Sequence, residues 1–159
     1  MKMTASAGER TVETKRYDQL DPEDRELMDA AREVLSTAYA PYSGVRVGAA
    51  LRTAAGIVTG SNVENAAYGS TLCAERMAVG RANARGDRAF TAVAIAADGD
   101  ALTPGRPISP CGSCRQVLHE MTHATAGAVL VLMATPGEDV VTIATLAELL
   151  PLPFDPLQP

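Results

Sequence analysis

The chain holds three cysteines, arranged as Cys73-Ala74-Glu75 and, well downstream, as Pro110-Cys111-Gly112-Ser113-Cys114. A catalytic zinc site takes three protein ligands and keeps a fourth position for water, because a fourth side chain would saturate the tetrahedron. Cys73, Cys111 and Cys114 supply that count. Glu75 lies two residues past the first ligand, where a carboxylate can move protons without itself binding the metal.

Local geometry favours the same reading. Cys111 and Cys114 are spaced i, i+3 directly after a proline that can open a helix, so both sulfurs can leave one side of its first turn. Cys73 and Glu75 open a second helical run, Leu72 to about Ala84, where unpaired N–H groups and the positive dipole end favour anions. Three thiolates around one divalent zinc leave a net negative charge, so Arg76 and Arg115, each directly following a motif, are candidates for a compensating outer layer. Three cysteines with a non-ligand glutamate form the signature of zinc-dependent deamination of a nucleobase ring.

Other readings explain less. Cys111 and Cys114 alone could be a redox pair or half of a structural zinc knuckle, but neither accounts for Cys73-Ala74-Glu75. A closed structural site needs a fourth ligand, and a disulfide framework fits neither an odd count nor a chain of this size. His119-Glu120-Met121-Thr122-His123 spells the H-E-x-x-H of zinc proteases, with Glu148 downstream as a possible third ligand. On a helix starting near Cys111, however, Val117, Leu118, Met121 and both cysteines share one side. His119 and His123 point the other way, with Arg115 and Gln116, which reads as a solvated face.

Composition narrows the class. With 159 residues, 47% of them hydrophobic, the chain is one domain able to bury a core. A net charge of −5 leaves no basic stripe for phosphates, and with no Trp and 4% aromatics there is no stacking platform for single strands. Nucleic acid is therefore not an expected partner. The start, to about Tyr17, lacks an apolar core segment, so neither a secretion signal nor a membrane span is expected. Cysteines committed to a metal suit a reducing cytoplasm.

The elements that must carry these residues follow from periodicity. Residues 1–19 read as a disordered extension, and residues 20–159 as a single catalytic domain. Asp21-Pro22-Glu23-Asp24 is a strong helix start, and Leu27, Met28, Ala31, Val34, Leu35 and Ala38 mark an apolar face that runs up to Pro41. Val45, Val47, Ala49 and Leu51 alternate as a strand, turn at Ala55-Gly56 and return through Ile57-Val58. After the Cys73 helix come a strand near Thr91–Ala97, the Cys111 helix, strands at Ala128–Ala134 and Val140–Ala144, and a short helix ending at Leu150-Pro151. Strands alternating with helices imply a layered α/β domain with a mixed sheet.

Taken together, Ala38-Tyr39-Ala40-Pro41-Tyr42-Ser43, Val47-Gly48-Ala49-Ala50-Leu51, Asn62-Val63-Glu64-Asn65-Ala66-Ala67-Tyr68-Gly69, Thr71-Leu72-Cys73-Ala74-Glu75-Arg76, Ser109-Pro110-Cys111-Gly112-Ser113-Cys114-Arg115-Gln116-Val117-Leu118 and Leu149-Leu150-Pro151 resemble the small tetrameric cytidine deaminases. The resemblance spans about residues 25–154. It implies a three-layer α/β/α domain around a mixed five-stranded sheet, hydrolytic deamination of cytidine and deoxycytidine in pyrimidine salvage, one Zn2+ per chain, and a homotetramer whose sites neighbouring chains complete.

Carried over by position, the resemblance makes Cys73, Cys111 and Cys114 the zinc ligands and Glu75 the proton shuttle. It pairs Asn62 and Glu64 on the ribose 3′-hydroxyl, sets backbone groups of Ala74 and Ser109 on the pyrimidine edge, and brings Ala66, Tyr68 and Phe154 toward a neighbouring subunit's nucleoside. Two departures stand out. Val45 occupies a position where the family usually has a Phe packed on the base, and the segment from Gly56 to Gly60 is slightly shorter than usual. A smaller pocket wall leaves room for an alternative substrate, a modified or antibiotic cytosine nucleoside; the Asn62/Glu64 pair argues against a blasticidin-like antibiotic.

Overall fold

Side-chain size along the central strand decides which helix lies on which face. In the structure, a computed structural model describing residues 12–155, strand β4 (Phe90–Asp98) turns Val93 and Ile95 to one side and Ala92, Ala94 and Ala96 to the other. The large side meets helices α2 (Ala74–Ala84) and α3 (Gly112–Thr122), through Ala78, Val79, Ala82 and Leu118. The small side receives α1 (Pro22–Glu33), whose Leu27, Met28 and Ala31 are fully buried. Three layers result, as the resemblance implied.

The remaining strands are β1 (Glu13–Arg16), β2 (Arg46–Thr53), β3 (Gly56–Ser61), β5 (Leu130–Ala134) and β6 (Val140–Thr145), followed by a short α4 (Leu146–Leu149). Their order in the sheet is β1-β6-β5-β4-β2-β3. The β4–β5 pair is parallel and the other pairs are antiparallel, so α3 is the crossover connection between parallel neighbours. Because α2 runs into β4 and α3 leaves it, the N-termini of both helices lie at one end of the parallel pair. The two cysteine motifs sit there.

Three expectations need correction. Among the described residues the sheet has six strands, not five. The sixth is β1, whose Glu13, Thr14, Lys15 and Arg16 pair antiparallel with Ile143, Thr142, Val141 and Val140, so residues 13–19 are not a structureless extension. Residues 1–11 lie outside the described residues. Tyr17 fixes this segment: its backbone N–H donates to the Asp139 carbonyl at 3.1 Å, its hydroxyl to Asp29 at 2.5 Å, and the Arg32 guanidinium stacks 4.6 Å from its ring centre. Finally, the first helix tightens into a 3-10 turn over Val34–Thr37, well before Pro41. The Ser36 and Thr37 hydroxyls bond back to the carbonyls of Glu33 and Val34, which competes with regular helix.

Two glycines set how closely the helices sit. At Gly48 on β2 a Cβ would collide with the Ala31 carbonyl of α1, and at Gly60 on β3 it would lie 2.6 Å from the Ala74 carbonyl and 2.9 Å from Met77. These obstacles at Gly60, with the still nearer Ala78 nitrogen, are all backbone of the helix that carries Glu75. Gly60→Ala is therefore expected to push α2 outward, destabilise the domain by about 1–3 kcal/mol and loosen the metal site. Denaturant unfolding and zinc retention measure the two effects; an unchanged midpoint with full zinc content contradicts this account.

Candidate metal centre

Cys73 is the N-cap of α2 and Cys111 the N-cap of α3. The Cys111 sulfur accepts the backbone N–H of Cys114 at 3.5 Å, which folds the Cys111–Cys114 stretch into the first turn expected from its spacing. The three Sγ atoms lie within 4.8 Å of one another. Ligands at about 2.3 Å around a tetrahedral zinc stand roughly 3.8 Å apart, so small side-chain rotations close the triangle on one ion. Cys114 is fully buried, Cys73 half-buried and Cys111 exposed, which leaves one approach to the sulfurs open.

Glu75 stands in the first turn of α2 and is 5% exposed. Burial raises its carboxyl above the ordinary range, while its own backbone N–H and the Cys114 thiol partly offset that. Burial likewise raises the Cys73 and Cys114 thiols, with the Glu75 charge adding to both. Cys111 differs: burial works upward there too, but the N–H groups of Cys114 and Ser113 and the Cys114 thiol hold it below the ordinary thiol value. Four acids crowded at two helix N-termini thus penalise one another's charge. A dication among them removes that penalty, and soft thiolate donors with a three-ligand count fit zinc.

The expected arginines do other work in part. Arg115 donates from Nε to the Pro110 carbonyl at 2.8 Å, from Nη1 to Leu149 at 2.9 Å and from Nη2 to the Ser109 hydroxyl at 2.9 Å. It braces the loop that ends in Cys111. Arg76 borders a groove of about 860 Å3 between β3, α2 and α3, together with Val34, Leu72, Val79, Val117 and Met121. The shifts at the thiols come from burial, from Glu75, from backbone N–H groups and from one another.

The Asn62–Asn65 segment is tied to the first cysteine motif through its backbone, since Val63 and Leu72 exchange N–H···O bonds of 2.9 Å in both directions. Asn62 is buried and staples the start of β2, accepting from Val47 N–H at 2.8 Å and donating to the Val45 carbonyl at 2.9 Å. Glu64 is caged by the turn before that strand. Its Oε1 accepts the Ser43 hydroxyl at 2.5 Å and its Oε2 the N–H groups of Tyr42 and Ser43 at 2.8 and 3.3 Å. The Ser43 hydroxyl, then the Tyr42 N–H, hold its carboxyl below the usual range. Gly44, at φ +70°, supplies the left-handed residue that closes this turn.

A cavity of about 300 Å3 joins Tyr42, Ser43, Glu64, Asn65, Tyr68 and Thr71. Ser43 and Tyr42 were given no role from sequence, although the pattern Pro41-Tyr42-Ser43-Gly44 marks a turn rich in donors. Ala66, Tyr68 and Phe154 are exposed, Tyr68 at 78% and Phe154 at 73%. Val45 is half-buried just ahead of β2, Ser109 is exposed, and Ala74, the first residue of α2, is fully buried. His119 and His123 do leave the core side of α3, but the C-terminal segment lies over them, which corrects the solvated face expected there. Glu148 does not join them; it closes a capping box on Thr145 at the start of α4.

Comparison with known proteins comes to the same place. Residues 21–133 match the family model described as the cytidine and deoxycytidylate deaminase zinc-binding region. The chain is 40% identical over 129 residues to a cytidine deaminase of Halalkalibacterium halodurans, covering 80% of this chain and 91% of the relative. It is 33% identical to a blasticidin-S deaminase of Bacillus cereus over 85% of this chain and 94% of that one. Among solved structures, a cytidine deaminase from Burkholderia pseudomallei superposes with a TM-score of 0.71 at 39% identity, over 85% of this chain and all of that one.

Proposed function

The chain belongs to the cytidine and deoxycytidylate deaminase family, and from that membership we infer that it deaminates cytidine and deoxycytidine hydrolytically to uridine or deoxyuridine and ammonia, with one Zn2+ per chain. The observation that carries this reading is the convergence of Cys73, Cys111 and Cys114 at two helix N-termini, with a buried Glu75 beside them. When bound, zinc supplies a Lewis acid with one open position and makes water a stronger acid.

In the mechanism we propose, Glu75 takes a proton from the attacking water and gives it to ring N3 as the oxygen bonds to C4. It then carries the remaining hydroxyl proton to the amino group as the C4–N4 bond breaks. Its raised affinity for protons suits a group that must hold one between the two transfers. The Ala74 N–H belongs to the first turn of α2, where no intrahelical acceptor exists, and with Ser109 it would read the pyrimidine edge. Arg115 positions Ser109 and Pro110, and Arg76 borders the groove along α2 and α3.

Glu64, kept ionised by its cage, would accept the ribose 3′-hydroxyl, and Asn62 has a second amide hydrogen to offer. Neither role differs between ribose and deoxyribose at the 2′ position. The assembly we propose is a homotetramer. Support comes from the apolar groove along α2 and α3 and from the exposed Tyr68 and Phe154 rings, which with Ala66 would meet a neighbouring chain's nucleoside. A cytoplasmic location and a place in pyrimidine salvage belong to the same reading. No described helix is long and apolar enough to cross a membrane.

A second substrate class has its own support in Val45 and in the likeness to a blasticidin-S deaminase. The deciding experiment is a panel of cytidine, deoxycytidine, a 5-substituted cytidine, cytidine monophosphate, cytosine and blasticidin S, followed by ultraviolet absorbance. Turnover of the plain nucleosides is expected, and turnover of the antibiotic alone overturns the assignment. The missing ring at position 45 forfeits apolar contact worth on the order of 1–3 kcal/mol. Val45→Phe is therefore expected to lower KM for cytidine and to reduce tolerance of the 5-substituted analogue. An unchanged ratio of kcat/KM for the two substrates places Val45 outside the base pocket. The zinc-protease alternative loses its expected third ligand, since Glu148 caps α4, and its general base, since Glu120 is exposed.

A further inference from the structure

His119 and His123 are four residues apart on α3, so their rings share one face of the helix. Opposite them stands Asp155, beyond α4 in the C-terminal segment. His119 Nε2 lies 3.3 Å from Asp155 Oδ2, and His123 Nε2 lies 3.5 Å from Asp155 Oδ1. The imidazoles do not stack; they meet edge to face at 71°, 5.7 Å between centres, with both Nε2 atoms turned to the carboxylate. One donor atom from each of the three residues falls within 4.8 Å of the other two.

We propose that His119, His123 and Asp155 form a second metal site, separate from the cysteine centre, that takes a zinc-class divalent ion and fastens the C-terminal segment to α3. The spacing supports this. N–H···O bonds cluster near 2.9 Å, whereas nitrogen and oxygen ligands at about 2.0–2.1 Å around a tetrahedral ion stand roughly 3.4 Å apart. The observed 3.3 and 3.5 Å bracket that tetrahedral edge. Two imidazoles and a carboxylate form a donor set that zinc accepts, leaving a fourth position for water.

Burial supports it as well. The Asp155 side chain is 11% exposed and that of His119 is 20% exposed, so two donors are already largely stripped of water, while His123 at 45% keeps one side open for the ion to enter. Gln116, one turn earlier on the same face, grips the neighbouring residue with a pair of bonds: its Nε2 donates to the Phe154 carbonyl at 2.8 Å and its Oε1 accepts the Phe154 N–H at 3.0 Å. Gln116, His119 and His123 thus make one stripe on which residues 154 and 155 lie. Glu120, which a hydrolytic H-E-x-x-H site would need in its cleft, is exposed on a different face. The site binds and tethers; it does not hydrolyse.

The test uses untagged protein already holding its thiolate-bound zinc, titrated with Co2+ and analysed for metal per chain. A second equivalent is expected, with a visible spectrum lacking cobalt–thiolate charge transfer. His123→Ala, at the most exposed donor, and Asp155→Asn are each expected to weaken that equivalent by at least the roughly 10–100-fold that loss of even an outer-shell partner costs. The first equivalent and the deamination of cytidine serve as separate readouts, so failure of the functional assignment is distinguishable. Binding of only one equivalent, or a second equivalent that persists in both variants, overturns the proposal.

Discussion

Cys111→Ser is expected to strip the catalytic zinc and abolish deamination together. A serine hydroxyl does not ionise near neutral pH, so the site falls to two thiolates, while the serine oxygen still accepts at the N-cap of α3 and leaves the helix start intact. Cys111 is also the thiol held lowest by its surroundings, the one most ready to give up its proton to a metal. Losing an outer-shell partner costs roughly 10–100-fold in metal affinity, and losing a direct ligand costs more. Metal analysis of the purified variant and an absorbance assay give the two readouts. If the variant keeps turning over and its working zinc disappears only on changing His119, the ligand set is wrong.

Glu75→Gln is expected to keep the zinc and lose the turnover. The substitution preserves volume at a 5% exposed position in the first turn of α2, so the fold has little reason to yield. An amide, however, neither takes up the water's proton nor releases one to N3 or to the departing amine. Loss of a positioned general acid–base typically costs about 10²–10⁴-fold, and here one group serves both halves of the reaction. The informative comparison is kcat against zinc content: a large fall in kcat with one zinc per chain supports the role, and near-normal kcat removes Glu75 from the mechanism.

The cysteine centre was legible because its signal is local. Pro110 followed by an i, i+3 pair fixes a helix start, and Cys73-Ala74-Glu75 fixes another, leaving the sheet only to bring the two ends together. The alternation at Val47, Ala49 and Leu51 likewise yielded β2. Strand β1 was not legible, since Glu-Thr-Lys-Arg has no apolar face and its order comes wholly from pairing with β6. The Glu64 cage was missed for a related reason: three of its parts are a hydroxyl and two backbone N–H groups, which carry no sequence pattern of their own. Asp155 meeting His119 and His123 depends on where the last residues fold back, and no periodicity encodes that.

Among the described strands the one parallel pair, β4 beside β5, divides the enzyme by task. Its connection α3 and the preceding α2 bring the sulfurs and Glu75 to one edge, whereas the side chains proposed to hold the sugar hang from the turn at Pro41–Gly44 and the segment after β3. The segment after β3 is joined to the first cysteine motif by the Val63–Leu72 bridge and by the Asn65 N–H, which donates to the Thr71 hydroxyl at 3.2 Å. On the proposed assignment, a change confined to the Pro41–Gly44 turn acts first on the Glu64 cage and reaches the cysteine edge only by way of the segment after β3. Under that assignment, selection can tune sugar recognition through the turn while the helix ends that gather the sulfurs and Glu75 are inherited unchanged.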